Sequence, residues 1–259
     1  MDNSITFLIS TLNEGIDKIK LPPIKDNVQY IIVHQVVNGF QKRDIPLILK
    51  RIDVKYVIDL GTGLTRSRNI ALSNVSTKYS YILDDDVEIK IDTIDDILKA
   101  FKETKSDLIA FNVETFEGKP FKKYSKVKVK INKILAARVS SIEIAFVTKS
   151  LLNKGIKFDE DFGLGGKYPS GEEYIFITDC LKAGLSVLSY PLTTVKHEAV
   201  SSGQDFFSNE LKIIAKKKMF ERITGKKISF IQIAFFMKKF KILMVNKKLR
   251  YFFCEYFRL

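Results

Sequence analysis

YSYILDDDVEI, residues 79–89, is the stretch whose reading decides the fold. Tyr79 to Leu83 are mostly apolar or aromatic residues of strand character, and they run directly into Asp84, Asp85 and Asp86. A strand interior could not bury three unpaired carboxylates, so the acids belong at a strand end. In an open α/β sheet, ligands bind beyond the carboxyl ends of the strands, and hard oxygen donors there suit Mg²⁺ or Mn²⁺ carrying phosphate oxygens. A solvated acidic turn would leave the same trace, so the surrounding chain has to decide between the two.

Before this stretch, SITFLIS (4–10) and VQYIIVHQVV (28–37) read as buried strands. LPPIKDN between them is a loop, because paired prolines fit neither a helix nor a strand interior. RDIPLILKRI (43–52) reads as a short helix and VKYVIDL (54–60) as a third strand. Such alternation predicts an α/β fold with a mostly parallel sheet flanked by helices. GTGLTRSRNIALSNVS (61–76) predicts a helix entered straight from that strand, with Thr65 as its N-cap. Arg66 and Arg68 then fall in the first turn, where the helix dipole disfavours cations unless an anion lies nearby. Its glycines match neither a P-loop nor the dinucleotide fingerprint.

Beyond the acidic triplet, IDTIDDILKAFKET predicts an amphipathic helix with Asp92 available as its cap, and DLIAFNVET a strand. KKYSKVKVKINK (122–133) reads as a hairpin or edge strand with a cationic outer face, and SSIEIAFVTKSLL (140–152) as a strand with a short helix. In FDEDFGLGGKYPSGEEYIF, Gly163, Gly165, Gly166 and Gly171 form a flexible loop. Glu172 and Glu173 then open a helix that runs to about Ala183 and stops at Gly184. Acids suit a helix N-terminus on electrostatic grounds alone, yet a glycine-rich loop delivering a carboxylate is also how a general base is presented. His197 should follow a strand that ends near Pro191 and reads as a structural residue or a ligand.

Composition narrows the class. With 259 residues and 46% apolar content the chain can bury a full core and fits one large domain or one domain plus an appendage. Two cysteines and two histidines exclude a disulfide framework or a Cys/His zinc site and suit a reducing cytosol. MDNSITFLIS lacks a basic region before its short apolar run and reads as a first strand rather than a signal peptide. The net charge of +13 is concentrated late: residues 206–259 carry 14 Lys/Arg against 3 Asp/Glu, together with 12 of the 30 Phe and Tyr. That contrast places a boundary near Gly203, between a nearly neutral domain (1–203) and a basic, aromatic, helical tail (204–259).

Taken together, residues 4–203 resemble the inverting family 2 glycosyltransferases of GT-A fold, of the bacterial polysaccharide-synthesis type. ISTLNE (9–14) is similar to the family's opening strand and nucleotide turn, GLTRSRNIAL to its arginine-bearing helix start, and LDDD (83–86) to its metal and nucleotide motif. FGLGGKYPSGEEYIF is similar to the acceptor loop with its acidic pair, and His197 stands where the family often has a metal ligand. The resemblance implies that Asp84 contacts the donor ribose, with Asp85 as an alternative metal ligand, and that Asp86 and His197 hold Mn²⁺ or Mg²⁺. It also implies that Thr11, Asn13, Glu14, Arg66 and Arg68 hold the nucleotide and that Glu173, or alternatively Glu172, is the general base. Val33-His34-Gln35 replaces the acid pair that usually reads the base, and the tryptophan signature of processive synthases is absent, which suggests a single transfer per encounter.

The implied partners are a nucleotide-diphosphate sugar and a saccharide or lipid-linked acceptor, with no nucleic acid; an oligomer is compatible. ISFIQIAFFMKKFKILMV (228–245) is interrupted by Lys238, Lys239 and Lys241 before it reaches the ~20 apolar residues of a membrane span, which predicts a segment lying on an anionic membrane. This would put the protein at the inner face of the cell membrane; alternatively the aromatics pack on the domain or in a dimer. Two rival functions remain open: a non-catalytic polyanion binder on a degenerate transferase fold, and a sugar-phosphate nucleotidyltransferase, which would want a glycine-rich loop that LISTLNEG does not supply.

Overall fold

Residues 3–40, 46–199 and 206–257 are described by a computed structural model. β1 (Ile5–Leu12) is buried along all but its last residue, as an unbroken apolar run predicts for a strand covered on both faces. β2 (Val28–Gln35) and β4 (Tyr79–Asp84) flank it, both parallel to it, and β3 (Val54–Asp59) runs parallel outside β2. Because β1 has its next strand on one side and the acid-bearing strand on the other, the chain reverses its order there. The crevice beyond those carboxyl ends is where such a sheet receives ligands.

The remaining strands are β5 (Glu88–Ile89), β6 (Leu108–Glu114), β7 (Val129–Lys130), β8 (Ile144–Val147) and β9 (Val187–Lys196). They make the sheet mixed, in the order β3-β2-β1-β4-β8-β6-β9-β5, with β7 also paired to β9. β8 is antiparallel to both β4 and β6, β9 is parallel to β6, and β5 and β7 lie antiparallel along different parts of β9. The helices are α1 (Leu64–Ser73), α2 (Ile94–Thr104), α3 (Lys133–Ala136), α4 (Thr148–Leu152), α5 (Glu172–Lys182), α6 (Glu210–Thr224), α7 (Phe230–Val245) and α8 (Leu249–Phe257).

Alternation along the strands divides the core into two layers. Phe7, Ile9, Tyr30 and Tyr81 face a layer closed by Ile97 and Leu98 of α2. Leu8, Ile31 and Ile82 face the opposite layer, which holds Leu72 of α1, Phe176 of α5 and, from the basic segment, Ile213, Met219, Phe220, Phe252 and Tyr256. The C-terminal helices thus share a core with the sheet. The boundary expected near Gly203 falls at 200–205, outside the described residues.

Several local expectations are corrected. Gly63, not Thr65, caps α1; Thr65 lies inside the helix and donates its hydroxyl to the Phe162 carbonyl at 2.9 Å. Asp92 sits in a short 3-10 turn (Ile91–Thr93), and Thr93 occupies the position before α2 without a side-chain cap. The hairpin or edge strand expected at 122–133 shrinks to the two residues of β7, because Lys122 and Tyr124 are drawn inward to the buried Glu143 at 2.5 and 2.9 Å. β9 does not stop at Pro191 but continues to Lys196. Its pairing with β6 shifts register around Phe111 and Asn112, while β7 and β5 bond it only near Leu188–Ser189 and Val195–Lys196, so proline's missing N–H falls in a gap. Of the helix expected at 43–52, a 3-10 turn Leu47–Lys50 remains; 41–45 are outside the described residues.

Candidate active site

The acidic triplet ends β4, and each of its carboxylates meets a different element. Asp84 accepts a hydrogen bond from Arg68 Nη2 of α1 at 2.9 Å. Asp85 accepts from Thr11 Oγ1 at the end of β1 at 2.7 Å; burial nevertheless pushes its carboxyl above the ordinary range, with the neighbouring acids adding to the shift. Close approach of this pair requires Gly15, where a Cβ would collide with the Asp85 carboxylate. Asp86, more exposed, lies 3.3 Å from His197 Nε2 just past the end of β9. The hydrogen bond from His197 holds the Asp86 carboxyl below its ordinary range and raises the imidazole above its own.

That geometry bears on the expected metal. His197 Nδ1 lies 2.8 Å from the Glu198 carbonyl, which can only accept, so Nδ1 carries a hydrogen. Nε2 then faces Asp86 either as an imidazolium or with a lone pair aimed at a carboxylate. A divalent cation in place of that second proton would satisfy both groups, so the donor set fits a metal. Among the described residues no three His, Cys, Asp or Glu side chains come together as a metal cluster. Asp86 and His197 would thus supply two ligands, with phosphate oxygens and water filling the rest of a hard cation's shell.

The first turn of α1 carries two arginines of opposite fate. Arg66 is half exposed and bonded to Asp59 of β3 through Nε and Nη2 at 3.0–3.2 Å, while Gln35 adds a bond of 2.9 Å to the same carboxylate. Arg68 is 1% exposed, and besides Asp84 it reaches Glu172 Oε1 at 3.5 Å through Nη1. The anions that the helix dipole calls for are therefore the protein's own carboxylates. Arg68 joins the triplet to the acid pair opening α5, although its Nε and Nη1 have no hydrogen-bond partner among the described residues.

Glu172 is buried, whereas Glu173 beside it is partly exposed. Burial and the adjacent Glu173 charge push the Glu172 carboxyl well above the glutamate range, against the pull of Arg68. The glycine loop places this pair by docking on the start of α1, where Leu64 N bonds the Leu164 carbonyl at 2.8 Å. Gly171, at φ +109°, then turns the chain into α5 with Met219 of α6 packed against its Cα face. The remaining nucleotide candidates divide in the same way. Asn13, at φ 46°, is committed to the fold: its carbonyl meets His34 Nε2 at 2.8 Å and its Oδ1 accepts from Val37 N at 3.0 Å. Glu14 is exposed.

Sequence reasoning missed Asp59, which claims Arg66, and the packing of α6, expected only as part of a helical tail, over the acid pair. Arg222 of α6 fastens that wall with ion pairs to Asp159 and Asp179, each at 2.8 Å. The signal for α6 was present in the spacing Ile213, Met219, Phe220, Ile223, an apolar face in a segment notable for its lysines.

Comparison with known proteins bears on the fold. Residues 32–158 match the model of the family described as glycosyl transferase family 2. The structure of S. aureus TarS residues 1–349 superposes with a TM-score of 0.61 at 15% identity, covering 87% of this chain and 67% of that one. The same fragment in complex with UDP-GlcNAc gives 0.58 at 14% identity over 87% and 68% of the two chains. Longer TarS gives 0.60 at 15% identity, with 87% of this chain and 40% of that one covered. At such identities the likeness establishes the GT-A fold. No curated protein matches the chain.

Proposed function

We propose that the chain, whose residues 32–158 match the family 2 glycosyltransferase model and whose fold is GT-A, is a glycosyltransferase that moves a sugar from a nucleotide diphosphate to an acceptor hydroxyl with inversion, using Glu173 as base. The observation that carries this reading is the Arg68 bridge, 2.9 Å from Asp84 and 3.5 Å from Glu172, which links an acidic strand end suited to a donor with an acid pair suited to an acceptor. Structures of TarS with UDP and with UDP-GlcNAc make a nucleotide sugar the natural donor class.

In the proposed reaction Glu173 takes the acceptor proton as the hydroxyl oxygen bonds to the anomeric carbon. The bond from that carbon to the diphosphate breaks, and its electron pair leaves with the diphosphate. Glu173 suits the role because it is accessible, while its neighbour is buried under Arg68. Asp84 and Thr11 line the donor side, and Asp86 and His197 would hold the Mg²⁺ or Mn²⁺ whose charge offsets that building on the leaving group. The test is a panel of nucleotide sugars with Mn²⁺, read as nucleoside diphosphate release. Release from one donor, abolished by excess EDTA, supports the reading; no release from any donor would return the polyanion-binding alternative to first place.

We further propose that this reaction takes place at an anionic membrane surface, on a lipid-linked saccharide. No helix among the described residues is long and apolar enough to cross a membrane. α7 is nevertheless apolar on two faces. Phe236 and Leu243 are buried, while Phe230, Ile233, Met237, Phe240 and Met244, at spacings of three and four, form an exposed stripe beside the exposed Lys238 and Lys241. Rings at headgroup depth with flanking cations suit anionic lipid, at roughly 1 kcal/mol per basic residue. Co-sedimentation with vesicles of graded anionic content should be strong for the native chain and weak for M237E/F240E; equal binding by both would leave the stripe to another partner.

A further inference from the structure

α6 buries one face along Ile213, Met219, Phe220 and Ile223, and Lys216 falls on that same face, three residues from Ile213 and from Met219. A lysine in an apolar seam is out of place unless something answers its charge. Among the described residues no hydrogen bond or ion pair reaches it; burial holds its ammonium below the ordinary lysine range, Glu173 and Glu172 pull the other way without offsetting this, and Lys239 adds to it. The seam directs Lys216 to the acid pair, because one turn further along Met219 packs on Gly171, the residue before Glu172, and Phe220 meets the Tyr174 ring with centroids 6.2 Å apart.

A second cation at the same place keeps two donors unfilled. Arg68 is 1% exposed and touches Glu172 from the α1 side, with Nε and Nη1 making no hydrogen bond. The acid pair is thus flanked by Lys216 and by Arg68, whose Nη2 is held by Asp84 while Nε and Nη1 stay unfilled among the described residues. The backbone at the start of α5, whose cap residue Gly171 supplies no side chain, adds further positive potential. Burial favours the neutral form of Glu172 and, on the same ground, of Lys216, so an anion placed within reach of Lys216 and Arg68 is what would keep the lysine charged.

From this placement we propose that Lys216 binds an anionic group, a phosphate or carboxylate, on the acceptor, so that the hydroxyl presented to Glu173 belongs to an acidic saccharide or a sugar phosphate. The inference rests on the reading of Glu172 and Glu173 as the acceptor side. It also gives the basic C-terminal segment a role in substrate choice, through one residue of α6, separate from any role of the α7 surface.

Binding can be tested without turnover, which keeps this inference distinct from the transferase assay. The full chain in excess EDTA is titrated calorimetrically with glycerol 3-phosphate, and with glycerol as the neutral control. Without a divalent cation the acidic strand end repels phosphate, so heat from glycerol 3-phosphate alone reports another site. The expected result is saturable binding by the native protein, weakened at least ~10-fold in K216M and largely retained in K216R, with K216Q as a second neutral variant should K216M fold poorly. No binding by the native protein, equal affinity in K216M and K216Q, or binding that appears only when Mn²⁺ is added would overturn the proposal, the last by assigning the anion to the donor side. A failed nucleotide-sugar screen beside Lys216-dependent phosphate binding would count against the transferase mechanism and leave the anion site in place.

Discussion

The two acidic clusters that face each other across Arg68 are built on opposite plans. Asp84, Asp85 and Asp86 are consecutive residues at an open strand end, with Asp86 42% exposed, and their partners come from α1, β1 and the end of β9. Glu172 and Glu173 open a helix beneath a wall formed by α6, with Glu172 only 7% exposed. The difference teaches how far a short motif specifies its own environment. At the strand end Asp86 stays solvated, while Asp84 and Asp85, partly buried, are held by side chains from α1 and β1. Carboxylates at a helix start depend on what packs over them, and here two adjacent residues of one type acquire different chemistry because only one is covered.

The largest effect expected from this contrast is on rate. Glu173→Gln should lower kcat on the order of 10²- to 10⁴-fold at saturating substrates, the usual cost of a lost general base, with little change in thermal stability. Glu172→Gln should leave most of the activity, because the amide resembles the protonated carboxyl that burial favours. Single-turnover rates of the two variants with one donor and one acceptor check this directly. Should Glu172→Gln be the dead variant, the covered and uncovered carboxylates have exchanged roles.

An intermediate effect probes the wall. Gly171 has φ +109°, and a Cβ there would meet Met219 Sδ at 2.8 Å. Gly171→Ala should therefore destabilise by about 1–3 kcal/mol through both the backbone and the overpacking. Adding Met219→Ala removes the clash but not the strained φ, so a double-mutant cycle in urea should show a favourable coupling of about 0.5–3 kcal/mol. Strict additivity would mean that α6 leaves the geometry of the acid pair alone.

The same contrast separates what the sequence made legible from what it did not. YSYIL followed by DDD and the sequence TRSRN are local patterns, and the chain places both where strand ends and helix starts put them. The glycine loop and GEE were equally local, and α5 begins at Glu172. Hidden from view were the partners that the fold assigns, whether seven residues away, as Asp59 is from Arg66, or much further. Nothing near Arg66 in the chain shows that Asp59 will take it in a side-chain pair, and nothing in GEE shows that a helix some 40 residues later will cover it. KKYSKVKVKINK misled because alternation mimics a strand, while the pull of Glu143 on Lys122 and Tyr124 is a tertiary effect. His197 was placed after the correct strand with the wrong end, since the gap that tolerates Pro191 is a property of the sheet.

The smallest effect expected is also the one that weighs burial against the ion pair at Glu172. Arg68 Nη1 at 3.5 Å favours an ionised Glu172, while burial and the Glu173 charge favour a protonated one, and the second pair of influences prevails. If so, the folded protein holds a proton on Glu172 over a pH range in which the unfolded chain, with its ordinary glutamate pKa near 4.3, has released it. The folded state then binds more protons than the unfolded state, and stability must fall as pH rises through that range, at no more than about 1.4 kcal/mol per pH unit. Stability from this group is greatest below the ordinary glutamate pKa and is lost as pH climbs toward the raised value in the fold. Glu172→Gln cannot titrate, so its urea midpoint should gain on that of the native protein steadily from about pH 5 upward. The opposite trend, with the native protein gaining on the variant as pH rises, would show that Arg68 holds Glu172 ionised. The acid pair would then be a salt-bridged structural cap, with Glu173 in a more negative environment than the one drawn here.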